Sequence, residues 1–291
     1  MNPTSLGDVR NFWFSGNHRP SKRLGQNFLV DANIVRIILE AADVNADDTV
    51  LEIGPGLGAL TQALVEQAGQ VVAVEKDHRL YEHLTREFAE AQNLRLISGD
   101  ALELDYPAIL GQDYKVVSNL PYVSGTAMLV NFLQSPSPPG DMVVTLQLEV
   151  GERLAAAPGD KSYGLLGLWS ALNYDTDIYK VISPTCFWPQ PQVKSAVVRM
   201  RRRAQPAADI VDHQFFFEFT KQAFGRRRKQ LRTVLRGLTL FSGWSVDQVD
   251  QLLASAEVDP AVRPESLCVQ GWGRLANCAA LLRRANRPAR A

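Results

Sequence analysis

At residues 49–58 the chain reads Thr49-Val50-Leu51-Glu52-Ile53-Gly54-Pro55-Gly56-Leu57-Gly58, a short β-rich run that ends in alternating glycines. From Leu60 to Gln67 the apolar positions return to helical spacing. Glycine allows a tight turn and lets a ligand approach the main chain without a Cβ in the way. The stretch therefore predicts a strand, a ligand-binding turn and a helix in succession.

Strand and helix patterns continue to alternate on both sides of this stretch. An amphipathic helix is predicted at 33–42 and another at 79–91. Further strands are predicted at 70–75, 94–97, 114–118, 142–148, 177–182 and 195–202, the last two as a closing pair. Such alternation predicts an α/β fold with a parallel, doubly wound sheet, in which ligands bind at the carboxyl ends of the strands.

The 291 residues suffice for one large domain and a smaller one. We expect an N-terminal extension at 1–20, whose composition fits a flexible terminus, and a sheet domain at 21–203. The Pro- and Ala-rich piece Ala204–Ala208 is typical of a linker. A smaller helical domain is predicted at 204–291, with helices at 213–237, 246–256 and 271–284.

Charge is segregated along the chain, although 31 Lys and Arg balance 31 Asp and Glu. Residues 29–193 carry 9 Lys and Arg against 22 Asp and Glu, whereas residues 194–236 carry 12 against 3. The cations cluster at Arg199–Arg203 and Arg226–Lys229. A short charge run is ordinarily a solvated helix face, but two clusters beside an acidic domain favour a phosphate-binding surface.

Three cysteines, at 186, 268 and 278, form no CxxC pair and accompany no histidine cluster. This set predicts reduced thiols in a cytoplasmic protein, with neither a disulfide framework nor a metal site. Residues 1–20 contain no apolar signal-peptide core, and no run reaches membrane-spanning length, so we expect no membrane partner.

Two carboxylates follow the next strands in the positions of a nucleoside site. Glu75 ends the second strand about twenty residues after the first glycines, where a carboxylate accepts ribose hydroxyls. This arrangement alone fits a nicotinamide dinucleotide as well as S-adenosylmethionine. The GxGxG spacing, the acidic Glu52 and Asp100 after the third strand favour S-adenosylmethionine and resemble motif I and its partners in class I methyltransferases. Asp100 has an alternative interpretation as a helix N-cap.

The fourth predicted strand ends in Asn119-Leu120-Pro121-Tyr122. This loop resembles the catalytic motif of amino-group methyltransferases. An amide oxygen and a main-chain carbonyl can accept both N–H bonds of an exocyclic amine and free its lone pair. Pro121 restricts Leu120 to extended conformations, and Tyr122 offers a ring on which an extruded base can stack. By itself, an Asn-x-Pro-Tyr string is more often an ordinary turn.

Together these motifs resemble the small-subunit ribosomal RNA adenine dimethyltransferases from about Pro20 to Leu282. Lys22–Leu29 is similar to the N-terminal signature of that family, which implies that Asn27 and Leu29 help to enclose the cofactor. The resemblance further implies a Rossmann-like class I methyltransferase sheet with a smaller α-helical C-terminal domain. The cofactor contacts it implies are Asn27, Leu29, Gly54, Gly56, Glu75, Asp100 and Asn119.

Two further segments carry the resemblance. Phe187–Ser195 is similar to a Phe-x-Pro-x-Pro-x-Val-x-Ser motif, whose Phe187 is expected to sandwich the target adenine against Tyr122, although such a residue is usually core. Phe224–Arg232 resembles a basic RNA-binding helix. The RNA contacts implied are Arg226, Arg227, Arg228 and Lys229.

The resemblance implies dimethylation of two adjacent adenosines near the 3′ end of 16S rRNA, in 30S precursor particles, by a monomer. A large-subunit adenine dimethyltransferase of the macrolide-resistance type shares every catalytic motif, but the stretch 258–265 favours the small-subunit group. A non-catalytic ribosome-assembly or transcription factor of the same fold is a second alternative, which the intact Asn119–Tyr122 loop disfavours. The loop and the GxGxG spacing also disfavour an NAD dehydrogenase.

Overall fold

The computed structural model of the protein describes residues 1–15 and 19–285. It forms two compact units, one of residues 1–152 and 176–202 and the other of 153–175 and 203–291. The first unit takes in the N-terminal residues, and the segment 153–175 groups with the second. The sequence predicts a single boundary between these domains, after residue 203. The structure differs because the chain leaves the first unit at residue 153 and returns to it at residue 176, before the last strand. The functional boundaries at 20 and 203 stay predictions.

A seven-stranded sheet dominates the first unit in the order β4-β3-β2-β5-β6-β9-β7. Strands β2 to β6 pair in parallel, and β9 runs antiparallel to β6. The predicted α/β class and the doubly wound sheet are therefore confirmed. The strands are β2 (Thr49–Ile53), β3 (Gln70–Glu75), β4 (Leu94–Ser98), β5 (Lys115–Asn119), β6 (Met142–Gln147), β7 (Tyr174–Ile182) and β9 (Ser195–Arg202). A separate antiparallel pair joins β1 (Phe28–Leu29) to β8 (Phe187–Trp188).

The helices beside these strands begin and end where local capping allows. In α2 (Ala32–Ala42), the Asp31 side chain accepts from the amides of Asn33 and Ile34, and the apolar stripe that includes Ile38 is buried. Such a cap satisfies amides that the first turn leaves unpaired. The α-helices between α2 and β7 are α3 (Ala59–Gln67), α4 (His78–Glu87), α5 (Tyr106–Leu110), α6 (Gly125–Gln134), α7 (Leu148–Leu154) and α8 (Leu165–Asn173).

The expectation of a flexible N-terminus is wrong for the part of the extension that the structure describes, while residues 16–18 lie outside it. Residues Leu6–Ser15 form helix α1, with Val9 and Trp13 buried at 0% and 1% exposure. Val9, Phe12 and Trp13 recur at positions i, i+3 and i+4 and give the helix one apolar face. They pack with Phe28, Leu57 and Leu80. The overall composition of residues 1–20 did not reveal this short apolar face.

Five α-helices lie within the described part of the second unit, and its core is aromatic. Phe219 packs edge-on against Trp272, and the Trp169 indole donates to the Thr220 hydroxyl at 3.0 Å. No helix in the described residues is long and apolar enough to cross a bilayer. The helices are α8, introduced above, then α9 (His213–Phe224), α10 (Leu231–Arg236), α11 (Val246–Ser255) and α12 (Val269–Ala285).

The single helix expected at 213–237 is wrong, since the chain leaves the helical conformation after Phe224 and resumes it at Leu231. The basic residues Arg226–Lys229 occupy the turn between α9 and α10. This tract has no apolar residue to bury, so no packed face favours a helix there over a turn exposed to water.

Candidate active site

A pocket opens at the carboxyl ends of β2, β3 and β5, and all its lining residues belong to the first unit. This is the edge at which a parallel sheet binds ligands. It brings together ten residues singled out in the sequence, namely Asn27, Leu29, Gly54, Gly56, Glu75, Asp100, Asn119, Leu120, Pro121 and Tyr122.

The glycine turn after β2 shapes one wall of the pocket. Gly54 and Gly56 have φ angles of 66° and 64°, which side chains rarely tolerate. A Cβ on Gly56 would lie 3.0 Å from the Phe28 ring, and one on Gly54 would lie 3.2 Å from Pro121. The glycines therefore let the turn fit closely between the N-terminal signature and the Asn119 loop.

Glu75 ends β3 and is 6% exposed. Its carboxylate accepts from the amide of Asp77 at 2.8 Å and from that of Gly56 at 3.1 Å. Burial raises the pKa of Glu75 to about 7, against the lowering effect of these two hydrogen bonds. Each carboxylate oxygen can accept a second hydrogen bond, so Glu75 can still receive a ligand hydroxyl.

A second buried carboxyl, Glu52, lines the same pocket at 2% exposure. The Thr61 hydroxyl donates to it at 2.7 Å. Burial raises the pKa of Glu52 to about 8, and repulsion from Glu75 adds to the increase. Two carboxyls at one site make it favourable for a cation, because a positive ligand offsets the cost of ionising them.

Asp100 caps a short helical turn and also lines the pocket, while its role as a cofactor contact stays a prediction. Its Oδ1 accepts from the Leu102 amide at 3.1 Å and so caps the short helical turn Ala101–Glu103. Its Oδ2 pairs with the Lys76 ammonium, which holds the pKa of Asp100 below its usual range. Asp100 also lines the pocket. Lys76 was not anticipated from the sequence, although it directly follows Glu75.

Asn119, the last residue of β5, carries the least expected feature of the site. Its Nδ2 donates to the main-chain carbonyl of Asn27 at 3.2 Å. Its Oδ1 is buried and has no hydrogen-bond partner among the described residues. Just before it, the Ser118 hydroxyl donates to the Ile53 carbonyl at 2.7 Å and ties the ends of β5 and β2 together. A buried acceptor left unpaired is costly unless a ligand completes it.

Tyr122 is anchored through its hydroxyl, which hydrogen-bonds the Ser195 hydroxyl at the start of β9. Ser195 is fully buried, and burial raises the pKa of Tyr122. Tyr122 is also one of the residues that line the pocket. In the sequence, Ser195 is only the last residue of the Phe187–Ser195 motif. It lies 73 positions after Tyr122, and no local pattern predicts a contact over that distance.

Phe187 is not brought to the pocket. It is 1% exposed, pairs with Leu29 in the β1–β8 ribbon, and packs in the core with Ile34 and Ile38. It is not among the residues that line the pocket together with Tyr122. The stacking role of Phe187 stays a prediction, and the packing interpretation describes its present contacts.

The two arginine clusters differ in how many of their side chains form ion pairs with carboxylates. Arg199 donates to Asp177 at 3.1 Å, and Arg203 pairs with Asp175. In the other cluster Arg227 lies 3.6 Å from Glu265, whereas no ion pair to Arg226, Arg228 or Lys229 occurs among the described residues, and all four are exposed. The free charge is thus concentrated in the 226–229 turn.

No group of three or more His, Cys, Asp or Glu side chains within 1–15 and 19–285 is placed to hold a metal ion. The expectation that the chemistry needs no metal stays a prediction.

The family model described as ribosomal RNA adenine dimethylase matches residues 17–265. A Clostridium acetobutylicum protein named ribosomal RNA small subunit methyltransferase A is 38% identical over 90% of this chain and 94% of its own length. One of the same name from Moorella thermoacetica is 40% identical over 88% of this chain and 91% of its own length.

Solved structures agree on the fold. A dimethyladenosine transferase from Plasmodium falciparum superposes with a TM-score of 0.72 at 20% identity, covering 84% of this chain and 94% of the other. The 23S rRNA methyltransferase ErmE gives 0.65 at 26% identity, covering 87% and 100%. From the extent of the family match and the identity to its relatives, the chain belongs to the ribosomal RNA adenine dimethylase family.

Proposed function

We propose that this enzyme transfers methyl groups from S-adenosylmethionine to N6 of two adjacent adenosines near the 3′ end of 16S rRNA. The product is N6,N6-dimethyladenosine, formed by a monomer on cytoplasmic 30S precursors. The observation that carries the proposal is the buried Oδ1 of Asn119, which has no hydrogen-bond partner among the described residues and lies at a pocket that also holds two buried carboxyls. An acceptor of that kind suits an N–H donor from the substrate.

The pocket residues fit S-adenosylmethionine. Glu75 is buried with acceptor capacity left for ribose hydroxyls, and Asp100 offers a carboxylate to an adenine amine. The turn at Gly54 and Gly56 admits a ligand close to the main chain. Glu52 and Glu75 together favour a ligand with the positive charge of a sulfonium.

The residues of the Asn119 loop would then prepare the nucleophile. Accepting one N–H of the adenine amine at Asn119 Oδ1 draws the nitrogen toward tetrahedral geometry and frees its lone pair. Tyr122, held through Ser195, supplies a face on which the extruded base stacks. When bound, the sulfonium supplies an activated methyl group. The methyl group would pass from that sulfur to N6, with the N6–C bond replacing the S–C bond and the N6 proton leaving for solvent. The residues of this chain would contribute chiefly alignment.

The choice of RNA rests on the relatives and on the 226–229 turn. Relatives at 38% and 40% identity are named for the small subunit, while the similarity to a 23S rRNA methyltransferase is 26%. Arg226, Arg228 and Lys229 are exposed and can contact phosphates of structured RNA. We assign RNA binding to the helical region 204–291 on that basis.

The test uses the purified chain, labelled S-adenosylmethionine and, in parallel, immature 30S and 50S particles. We expect label in 30S only, in two adjacent dimethyladenosines near the 3′ end, and far less label with Asn119→Ala over the same reaction time. Label in 50S particles would instead identify the protein as a large-subunit adenine dimethyltransferase. Absence of methylation on both particles, with cofactor bound, would favour the non-catalytic assembly factor.

A further inference from the structure

We propose that helix α1 (Leu6–Ser15) and the residues before it are a working part of the cofactor site and set how tightly the cofactor is held. The inference rests on the proposed function, which places S-adenosylmethionine in the pocket. Helix α1 lies outside the region 17–265 that the family model matches. Its contribution would therefore be additional to the family's own cofactor residues.

The apolar face of α1 packs on residues that line the pocket. Val9 and Trp13 form a cluster with Phe28, Leu57 and Leu80. Each of those three partners also lines the pocket. One layer of side chains thus contacts α1 on one side and the ligand space on the other, so displacement of the helix would be felt directly by the pocket wall.

The most direct connection runs from Trp13 to the glycine turn. The Trp13 and Phe28 rings lie 5.5 Å apart between centroids, tilted by 35°. The Phe28 ring also lies 3.0 Å from where a Cβ of Gly56 would be. Gly56 in turn donates its amide to Glu75. Trp13 therefore backs the ring that supports both the turn and the carboxylate assigned to the ribose.

Two contacts hold α1 against α4. The Arg79 guanidinium carbon lies 5.5 Å from the centroid of the Trp13 ring, and Phe12 contacts His83 with ring centroids 4.9 Å apart. Upstream of the helix, Pro3 is buried and is itself a lining residue of the pocket. The N-terminal segment is therefore held in place by several contacts and forms part of the pocket wall.

Removing this support should weaken cofactor binding more than folding. Without the Trp13 indole, Phe28 loses a ring that it packs against, and water gains access to the layer of Phe28, Leu57 and Leu80. Because Phe28 supports Gly56, the turn then samples conformations that fit the ligand less well. Pre-organisation of a pocket contributes to affinity by lowering that ordering cost. The predicted signature is faster cofactor dissociation.

The chain offers a matched control next to Trp13. Phe14 lies on the same helix, is also aromatic, and is 62% exposed. We would measure the Kd of S-adenosylmethionine calorimetrically for the full-length protein and for Trp13→Ala, Trp13→Phe, Phe14→Ala and a deletion of residues 2–15. Circular dichroism at the same temperature would establish that each variant is folded.

We expect about a tenfold rise in Kd for Trp13→Ala and at least as much for the deletion, with Trp13→Phe intermediate and Phe14→Ala within about twofold of wild type. Wild-type affinity in folded Trp13→Ala and in the deletion would overturn the inference. If Trp13→Ala fails to fold, Trp13→Phe decides, because unchanged affinity there, and in Pro3→Ala, overturns it equally. A wild-type protein that binds no S-adenosylmethionine would instead refute the proposed function.

Discussion

The side-chain amide of Asn119 donates to the main-chain carbonyl of Asn27 at 3.2 Å, and the same amide buries its oxygen without a partner in the described part of the chain. The two residues are 92 positions apart. The hydrogen bond to the N-terminal signature thus orients the Asn119 amide, so that its nitrogen has a partner while its oxygen has none in the described part of the chain. A substrate amine would repay the desolvation of that oxygen, which costs about 1–3 kcal/mol when unsatisfied.

Asn119→Ala should lower the single-turnover rate of adenine methylation by on the order of a hundredfold or more, the typical effect of losing one hydrogen bond that forms at the reacting centre. The melting temperature should change little, because the substitution removes the unpaired oxygen together with the bond to Asn27. Rapid-quench assays and calorimetry would check the two expectations. A wild-type rate of methylation in the variant would show that Asn119 takes no part in the reaction.

Cofactor affinity should depend on pH through Glu75 and Glu52. Their pKa values are raised to about 7 and about 8, so both carboxyls lose their protons as pH rises from 6 to 9. The ionised form of Glu75 accepts ribose hydroxyls, and the ionised form of Glu52 attracts a positive charge. Binding of S-adenosylmethionine should therefore strengthen across this range.

S-adenosylhomocysteine is the matched ligand, since its sulfur is neutral. Its affinity should rise through pH 7 with Glu75 and then level off, while that of S-adenosylmethionine continues to rise through pH 8. Calorimetric titrations at several pH values would compare the two ligands. Parallel pH profiles for both would mean that Glu52 does not sense the sulfonium.

The same carboxyl makes the unliganded protein sensitive to base. The pKa of Glu52 is about 8 in the fold and 4.5 ordinarily, so folding favours its protonated form, and stability falls as pH rises between those values. Glu52→Gln should raise the melting temperature clearly at pH 8 and only slightly at pH 5. Thermal denaturation at both pH values tests this. A Gln variant less stable than wild type at pH 8 would contradict it.

The hydrogen bond between Tyr122 and Ser195 should act on the base and not on the cofactor. Ser195→Ala should slow methylation by up to about tenfold, as expected for one lost hydrogen bond, and leave the Kd of S-adenosylmethionine unchanged. Tyr122→Phe keeps the ring and loses the same bond, so the double variant should be no slower than either single one. Additive losses would show that the two hydroxyls act separately.

The free charge of the 226–229 turn should appear in the salt dependence of RNA binding. Replacing Arg226, Arg228 and Lys229 by Gln should weaken binding and flatten the plot of log K against log salt, since each lost phosphate contact lowers the slope by roughly 0.7–0.9. Arg203→Gln is the control, because that guanidinium pairs with Asp175. Equal slopes for the triple variant and wild type would mean that the turn is a solvated surface that makes no phosphate contacts.

Much of the fold could be predicted because it follows from short-range patterns. The strand at 49–53, its glycines and the helix from residue 59 depend on neighbours within one or two turns of chain. Parallel pairing then places the residues after each strand at one edge, which is why Gly54, Glu75 and Asn119 could be expected to lie together. Their roles in binding and catalysis stay predictions.

Other features were decided only by tertiary structure. The composition around Trp13 predicts a flexible terminus, whereas in the fold Trp13 packs with Phe28 and Leu80. The resemblance implies that Phe187 stacks on the target base, whereas in this structure it pairs with Leu29 and packs in the core with residues of α2, so its stacking role stays a prediction. Likewise, the charge of Arg199 is free in the sequence and paired with Asp177 in the fold. Local preference specifies what a segment can form. What covers or pairs each side chain depends on distant segments, and no pattern within the segment contains that information.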